Sequence, residues 1–364
     1  MQEKADYIII GAGVLGASLA YYLTKKKRSV IVLEQGELCE GVSSTTAALV
    51  LPSPKTPTIY NRIAWKGYDR FLNLEEELGA DIGLQITGTT MLCRTPQKSE
   101  GMQATIEINK QNGKELQWLT SEEICEREPI LNPREFCGGV YCKEGGNLNP
   151  FLLVRAYIQA AKKNGAQVYT FTEVKSFEVE NKRITRVYTD KGIYEAEQVI
   201  SAAGNGNFQI GKELGFNPHI HNTRGLIMVS ERLPHILHST YAEMHQSPEG
   251  NLLMGANFRV IENGSLDNRV YYDELQEVCD DIGTLAPALQ NVKIIRTYSG
   301  IRILPEDGLP IIGRPNSYEN FWVYEMHSAF SSSPELSWRF SEILCGDMME
   351  EEIEPFRYER FDEK

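Results

Sequence analysis

The sequence lacks long hydrophobic runs, closely spaced cysteine pairs and any excess of positive charge. None of its apolar stretches approaches the roughly 20 residues of a membrane span, so we expect no transmembrane segment. The 364 residues carry a net charge of −13, which argues against nucleic acid or an anionic membrane as the main partner. The polar N-terminal residues show no signal-peptide pattern, so we expect a cytoplasmic protein.

The seven cysteines are scattered, and none forms a C-x-x-C pair. Cys137 and Cys142 lie closest together, and no second Cys/His pair elsewhere completes a metal site with them. We therefore expect reduced thiols and no metal centre. A hydrophobic content of 41% and a charged content of 24% are typical of a globular protein, and the length suits two interleaved domains.

The most informative stretch lies at the N-terminus. A β-branched apolar run at residues 6–10 predicts a buried parallel strand, and Gly11, Gly13 and Gly16 follow it at G-x-G-x-x-G spacing. A helical stretch comes next, then a second strand that Glu34 closes, 21 residues after Gly13. The glycines permit a tight turn and close approach to a pyrophosphate at the helix N-terminus, and the acid suits a ribose diol. A structural glycine turn is the alternative interpretation, but the strand, helix and acid favour dinucleotide binding.

The order of elements along the chain predicts the fold class. Nucleotide-type segments at residues 1–83, 147–221 and 300–364 are interrupted by antiparallel-type segments at 84–146 and 222–299. We predict an α/β protein (α+β overall), with a Rossmann-like nucleotide-binding domain from the first set. The second set is predicted to form an interleaved antiparallel-sheet domain. A plain nicotinamide dehydrogenase would complete its sheet without two such insertions.

Three motifs carry a family resemblance. They are YIIIGAGVLG at residues 7–16, AAG at 202–204 and YSGIRILPEDGLPIIG at 298–313. With them the chain resembles the FAD-dependent D-amino-acid oxidase family over nearly its whole length, nearest to the glycine oxidase and sarcosine oxidase branch. The resemblance implies that the first set of segments is a Rossmann-like FAD-binding domain and the second set an antiparallel-sheet substrate domain. It also implies non-covalent FAD, because Cys345, the nearest candidate for a covalent link, comes late in the last predicted helix.

The resemblance also implies which residues contact FAD. The implied cofactor-binding residues are Gly11, Gly13, Val14, Leu15, Gly16, Glu34, Gln35, Ser43, Ser44, Thr46, Ala47, Ala48, Val174, Gly204, Gly300, Ser331, Ser332 and Ser333.

Arg302 occupies the family position that binds the substrate carboxylate. A planar guanidinium suits that role because it can donate two parallel hydrogen bonds to a carboxylate. The alternative is a structural salt bridge in a chain rich in acids. We place Tyr298 and His327 beside Arg302 in the predicted catalytic site, His327 at the flavin edge.

The last motif departs from the family pattern. The family usually has Gly-His-x-x-x-Gly here, whereas residues 326–334 read MHSAFSSSP. We predict that Ser333 caps a closing helix at residues 334–345, whose N-terminus polarises the flavin. Ala329 replaces an arginine typical of the glycine oxidase branch, which argues against a glycine oxidase pocket. Leu253 lies where the sarcosine branch has a lysine.

We therefore predict a FAD-dependent oxidoreductase that oxidises the C–N bond of a small amino acid or N-substituted amino acid, by hydride transfer to flavin N5. Two alternatives stay open. The first is a 2-hydroxy acid or glycerol-phosphate dehydrogenase, which would place additional cations in the pocket. The second is a flavin subunit of a larger dehydrogenase complex, with an exposed apolar patch. A homo-oligomer is compatible with each of these.

Overall fold

The strand predicted at the N-terminus lies at the centre of a large mixed sheet. A computed structural model describes residues 2–315 and 318–361. The strands are β1 (Gln2–Ile10), β2 (Val30–Leu33), β3 (Leu49–Val50), β4 (Thr89–Leu92), β5 (Gln117–Leu119), β6 (Gly139–Cys142), β7 (Gly146–Asn147), β8 (Gln167–Tyr169), β9 (Val174–Glu180), β10 (Arg183–Thr189), β11 (Ile193–Ser201), β12 (Ile220–Arg232), β13 (Thr240–Tyr241), β14 (Met244–Gln246), β15 (Asn251–Ile261), β16 (Ile294–Pro305), β17 (Ile311–Gly313) and β18 (Phe321–Glu325). The helices are α1 (Val14–Lys25), α2 (Thr58–Leu78), α3 (Ser99–Gln111), α4 (Ser121–Arg127), α5 (Pro150–Lys163), α6 (Asn207–Leu214), α7 (Tyr272–Leu285) and α8 (Ala329–Leu344).

The large sheet has the order β17-β18-β11-β1-β2-β8, and β10 and β9 extend it from β11. β1 pairs in parallel with β2 and β11, and β11 pairs in parallel with β18. One face packs against α1, α2, α5 and α8 around fully buried side chains such as Leu19, Phe71, Tyr157 and Phe340. A parallel sheet covered by helices is the predicted nucleotide-binding architecture, and the predicted α/β class is confirmed.

Two smaller sheets lie apart from the large one. β14-β15-β12-β16 is antiparallel throughout, and β13-β4-β6-β5 is antiparallel except at β13. An apolar cluster joins them, with contributions from Leu92, Met228, Met254 and Ile282. The predicted domain limits stay predictions, and those at 221/222 and 299/300 fall inside β12 and β16. None of the described helices is long and apolar enough to cross a membrane.

The last helix begins earlier than predicted. We expected residues 334–345 with Ser333 as the cap, but α8 begins at Ala329 and Ser328 precedes it. Pro334 therefore lies inside the helix, where it cannot donate a hydrogen bond to the carbonyl of Phe330. The first turn is buried, and tertiary packing of this kind outweighs the loss of one helical hydrogen bond.

Small residues let α8 pack closely against α1 and α2. The hydroxyl oxygens of Ser337 and Ser18 lie 2.7 Å apart across the α1–α8 contact. A Cβ atom on Gly67 of α2 would come within 2.8 Å of the Ser331 carbonyl oxygen. This packing determines where the N-terminus of α8 lies relative to the large sheet.

A buried carboxyl group closes the end of β18. Glu325 is 1% exposed and accepts a hydrogen bond from the amide of Asn207, whose oxygen contacts the Ser201 hydroxyl. Burial raises the pKa of Glu325 to about 8, although hydrogen bonds from Asn207 and from the backbone of Gly204 act against the rise. The group is therefore mostly protonated at neutral pH.

We predict that Glu325→Gln makes the protein more stable than the wild type at pH 8 but not at pH 5. The unfolded chain releases this proton near pH 4.5 and the folded chain near pH 8, so the stability that the protonated carboxyl contributes is lost between those values. The difference in the free energy of unfolding should reach about 2–4 kcal/mol. Melting curves of both proteins from pH 5 to 8 measure it, with the exposed Glu319→Gln as the control. Parallel profiles for wild type and Glu325→Gln would contradict the prediction.

Candidate active site

The glycine turn opens directly onto the N-terminus of α1. Gly11 has a φ of +103°, and a Cβ atom there would lie 2.6 Å from the Ala202 carbonyl oxygen, so only glycine fits. Gly13 precedes the helix and supplies no side-chain cap. The Ser43 hydroxyl instead accepts a hydrogen bond from the Val14 N–H at 3.1 Å. The N-terminus of α1 therefore lies next to a loop hydroxyl, and a side chain on residue 13 would collide with that hydroxyl.

Glu34 lies at the end of β2 beside this turn. It is buried, and its carboxylate accepts hydrogen bonds from the backbone N–H groups of Ala12 (2.7 Å) and Gly36 (2.9 Å). Glu34, Gln35 and Val174 line one cleft that also reaches Gly11. A cleft at the carboxyl ends of parallel strands, with an acid and a glycine turn, fits the adenosine half of a dinucleotide.

The loop after β2 packs against β16. A Cβ atom on Gly300 would collide with the side chain and backbone of Thr45, so glycine permits this close approach. Tyr298 donates a hydrogen bond to the Thr46 carbonyl oxygen at 3.4 Å. Burial raises the pKa of Tyr298 to about 12. Tyr298 therefore faces the predicted cofactor loop, and none of its described contacts reaches Arg302.

The serines of α8 differ in their surroundings. The Ser331 hydroxyl accepts a hydrogen bond from the Leu51 N–H at 2.9 Å and donates one to the Leu49 carbonyl oxygen at 3.2 Å. These two bonds join the first turn of α8 to β3. The buried Ser333 hydroxyl has no hydrogen-bond partner among the described residues.

Arg302 and His327, both selected from the sequence, are in direct contact. The guanidinium Nη2 of Arg302 lies 2.6 Å from Nε2 of His327. The guanidinium also lies over the ring of Phe258 on β15, 3.6 Å from its centroid. β16, β15 and the turn before α8 together position this arginine.

The tautomer of His327 follows from its partners. Because arginine only donates, Nε2 of His327 must accept, and Nδ1 carries the proton. Nδ1 then donates to the Ser328 hydroxyl oxygen at 2.8 Å. Ser328 has a φ of +61°, a left-handed conformation that is uncommon for serine.

Lys55 is a site residue that the sequence analysis missed. Its Nζ donates a hydrogen bond to the Ser328 hydroxyl at 2.8 Å and so completes a chain from Lys55 through Ser328 and His327 to Arg302. The available signal was local: Lys55 stands in the proline-rich stretch 52–57, directly after the apolar residues 47–51. Its approach to Arg302 comes from the tertiary fold.

The charges of this chain are coupled. Removal from water and then the charge of Arg302 lower the pKa of Lys55 to about 8. Burial, followed by Arg302 and Lys55, lowers the pKa of His327 to about 3, and burial lowers that of Arg302 to about 10. His327 is therefore a neutral imidazole between two cationic side chains. Among the described residues no cluster could hold a metal ion.

These features define a class of protein. A dinucleotide cleft on a parallel sheet, combined with an arginine presented by an antiparallel sheet, is the architecture of a nucleotide-dependent oxidoreductase. The family model described as FAD dependent oxidoreductase (DAO) matches residues 6–342, and the chain belongs to this family. The recognition made from the sequence is confirmed, and the cofactor is FAD.

Individual relatives match almost end to end. Glycine oxidase of Geobacillus kaustophilus (strain HTA426) is 28% identical over 339 residues, which cover 90% of this chain and 89% of that protein. An opine oxidase subunit of Rhizobium meliloti is 23% identical, and the match covers 99% of this chain and 98% of that protein. The crystal structure of L-proline dehydrogenase from P. horikoshii has a TM-score of 0.90 at 23% identity, with 100% of this chain and 99% of that chain covered. This last likeness shows the fold.

We predict that Lys55 titrates near pH 8. Competitive labelling with a dilute acylating reagent, followed by peptide mass spectrometry, should give a midpoint at about pH 8 for Lys55. The exposed Lys66 of α2 is the matched control. Arg302→Met should raise the Lys55 midpoint, because it removes a neighbouring positive charge. Equal midpoints for the two lysines would show that Lys55 is not in the environment described.

Proposed function

We propose that the chain uses FAD to oxidise the C–N bond of a small amino acid or an N-substituted amino acid. One observation carries the proposal: Arg302 is half-buried, stacks on Phe258, and donates to a neutral imidazole. A guanidinium held in this way has donors free for a carboxylate. The names of the glycine oxidase and opine oxidase relatives are consistent with an amine substrate that carries a carboxylate.

The described residues fit the cofactor. The N-terminus of α1, with Gly13, would hold the pyrophosphate, and Glu34 would accept from the ribose. Val174 lines the cleft where the adenine would lie. The N-terminus of α8 at Ser328, rather than at Ser333 as predicted from the sequence, would present the positive end of a helix dipole to the flavin. We propose that FAD is bound without a covalent link.

The protein's own residues would bind and orient the substrate. Arg302 would take the carboxylate in a bidentate pair, which places the α-carbon at a fixed distance from the arginine. His327 stays unprotonated throughout the physiological range, so it would position Arg302 without adding charge. Bound FAD supplies the two-electron acceptor. Loss of two electrons and two protons would convert the substrate amine into an imine, which water would hydrolyse to a carbonyl compound and a free amine.

A second candidate is oxidation of a 2-hydroxy acid or glycerol phosphate. This reaction is expected to place additional cations in the pocket, and Lys55 is such a cation. Only the first candidate reaction needs a substrate that contains an amine nitrogen. A panel of amines and hydroxy acids therefore separates the two candidates.

We also propose that the chain assembles with a partner protein. Val260, Leu266 and Tyr272 are apolar or aromatic side chains that are more than three-quarters exposed. The opine oxidase relative is named as one subunit of an enzyme, which is consistent with such a complex.

We propose a cytoplasmic location, consistent with seven unpaired cysteines.

We predict that Gly13→Ala weakens FAD binding about tenfold or more. Its Cβ would lie 2.9 Å from the Ser43 hydroxyl oxygen and narrow the space for a pyrophosphate. Gly101→Ala is the matched control, because no atom lies within 4 Å of a Cβ there. Fluorescence titration of the apoprotein with FAD measures both dissociation constants. Equal affinities in the two variants would remove Gly13 from the cofactor site.

We predict that Arg302→Met weakens amino acid binding about tenfold or more, the range expected for a lost charge-assisted hydrogen bond of about 1.5–3 kcal/mol. Arg302→Lys keeps the charge but loses the planar fork, so it should recover only part of the affinity. Anaerobic titration with amino and N-methyl amino acids, followed by bleaching at about 450 nm, gives the affinities. FAD content should stay unchanged. Unchanged substrate affinity in Arg302→Met would exclude this arginine from the site.

A further inference from the structure

Two cations of the candidate site have no anionic partner. Lys55 and Arg302 donate to the uncharged groups of Ser328 and His327, and neither forms an ion pair within residues 2–315 and 318–361. Arg339, a buried arginine elsewhere, is paired with two glutamates. An unpaired charge that has been removed from water is costly, so this fold supplies carboxylates where an arginine is structural. At the site no described carboxylate fills that role, so an anionic ligand would find both cations available.

The two cations lie at opposite edges of one imidazole ring. Arg302 contacts Nε2 of His327, whereas Lys55 is linked through Ser328 to Nδ1. The two ring nitrogens point away from each other, so the cations flank the ring. Two anionic groups, one at Arg302 and one at Lys55 with Ser328, would satisfy both cations.

The free hydrogen-bonding groups at this position are donors. Arg302 uses one of its five N–H groups on His327, and Lys55 uses one of three on Ser328. The Ser328 oxygen accepts from both Lys55 and Nδ1 of His327, so its own proton is free to be donated elsewhere. Carboxylates, which only accept when ionised, complement such a set.

We propose that the substrate is an amine with two carboxylates, one bound by Arg302 and the other by Lys55 together with Ser328. This inference rests on the proposed function and names the substrate class of that same site. Two kinds of compound have this chemistry. One is a secondary amine with a carboxylate on each arm, and the other is an acidic primary amino acid.

Binding and turnover of matched ligands test the proposal in the FAD-loaded enzyme. Succinate against propionate, and malonate against acetate, measure affinity without oxidation through changes in the flavin spectrum. Iminodiacetate against N-methylglycine, and aspartate against alanine in both enantiomers, measure kcat/KM and separate the two kinds of compound. The wild type should favour the diacid of at least one pair about tenfold or more.

Variants of Lys55 assign that preference to the second cation. Lys55→Met should reduce the preference to within about threefold by weakening binding of the diacid, while affinity for the monoacid changes little. Lys55→Arg should restore most of it, because it keeps the charge. Lys66→Met, at an exposed position of α2, should leave the preference unchanged. FAD content and melting temperature identify any variant that fails to fold, and the wild-type ligand preference tests the proposal independently of the variants.

Three outcomes would contradict this inference, and each has a different consequence for the proposed function. If the wild type binds and oxidises monoacids as well as diacids, the two-carboxylate substrate is wrong and the proposed function stands. If Lys55→Met keeps the diacid preference and slows only the reaction of the reduced enzyme with oxygen, Lys55 does not bind substrate. If no amine bleaches the flavin and glycerol phosphate does, the proposed function and this inference both fail.

Discussion

The hydrogen-bond chain from Lys55 to Arg302 joins three segments that are distant in the sequence. It connects the loop after β3, the turn between β18 and α8, and the strand β16. A neutral imidazole at its centre is a requirement of this arrangement, because a protonated His327 would place a third positive charge between two others. Ser328, in a left-handed conformation, bonds to Lys55 through its hydroxyl and directly precedes the first residue of α8. The position of the helix N-terminus and the charge of the site thus have one structural origin.

Close packing around α8 holds that chain in place. Small serine side chains bring α1 and α8 within hydrogen-bonding distance, and the absence of a side chain at Gly67 lets α2 approach α8 closely. The Ser331 hydroxyl bonds to the backbone of β3, next to the loop that carries Lys55. Larger residues at these contacts would move the helix away from β3, and the hydrogen bonds of Ser328 would then lengthen. The small side chains of α8 therefore belong to the support of the site as well as to the core.

The sequence predicted those features that depend on residues lying close together in the chain. Gly11, Gly13 and Glu34 were identifiable because the βαβ turn needs those residue types at that spacing, and the motif around Arg302 carried a family resemblance. The predicted start of α8 was wrong. Pro334 is a strong local signal for a first helical position, but burial of the preceding turn outweighs that signal and extends the helix back to Ala329. Lys55 was missed for a related reason. Its significance lies in its connection to Arg302 through Ser328 and His327, and no property of its neighbours in the sequence encodes that connection.

Net charge and site charge are separate properties of this chain. The net charge of −13 argues against polyanionic partners, which sense the field of the whole surface. A small anion responds mainly to charges within a screening length, about 8 Å at physiological ionic strength. At that range it meets Lys55, Arg302 and the N-terminus of α8, and no described carboxylate is paired with either cation. An acidic protein can therefore hold a strongly cationic site, and a composition that argues against nucleic acid leaves a small carboxylate ligand fully compatible with the fold.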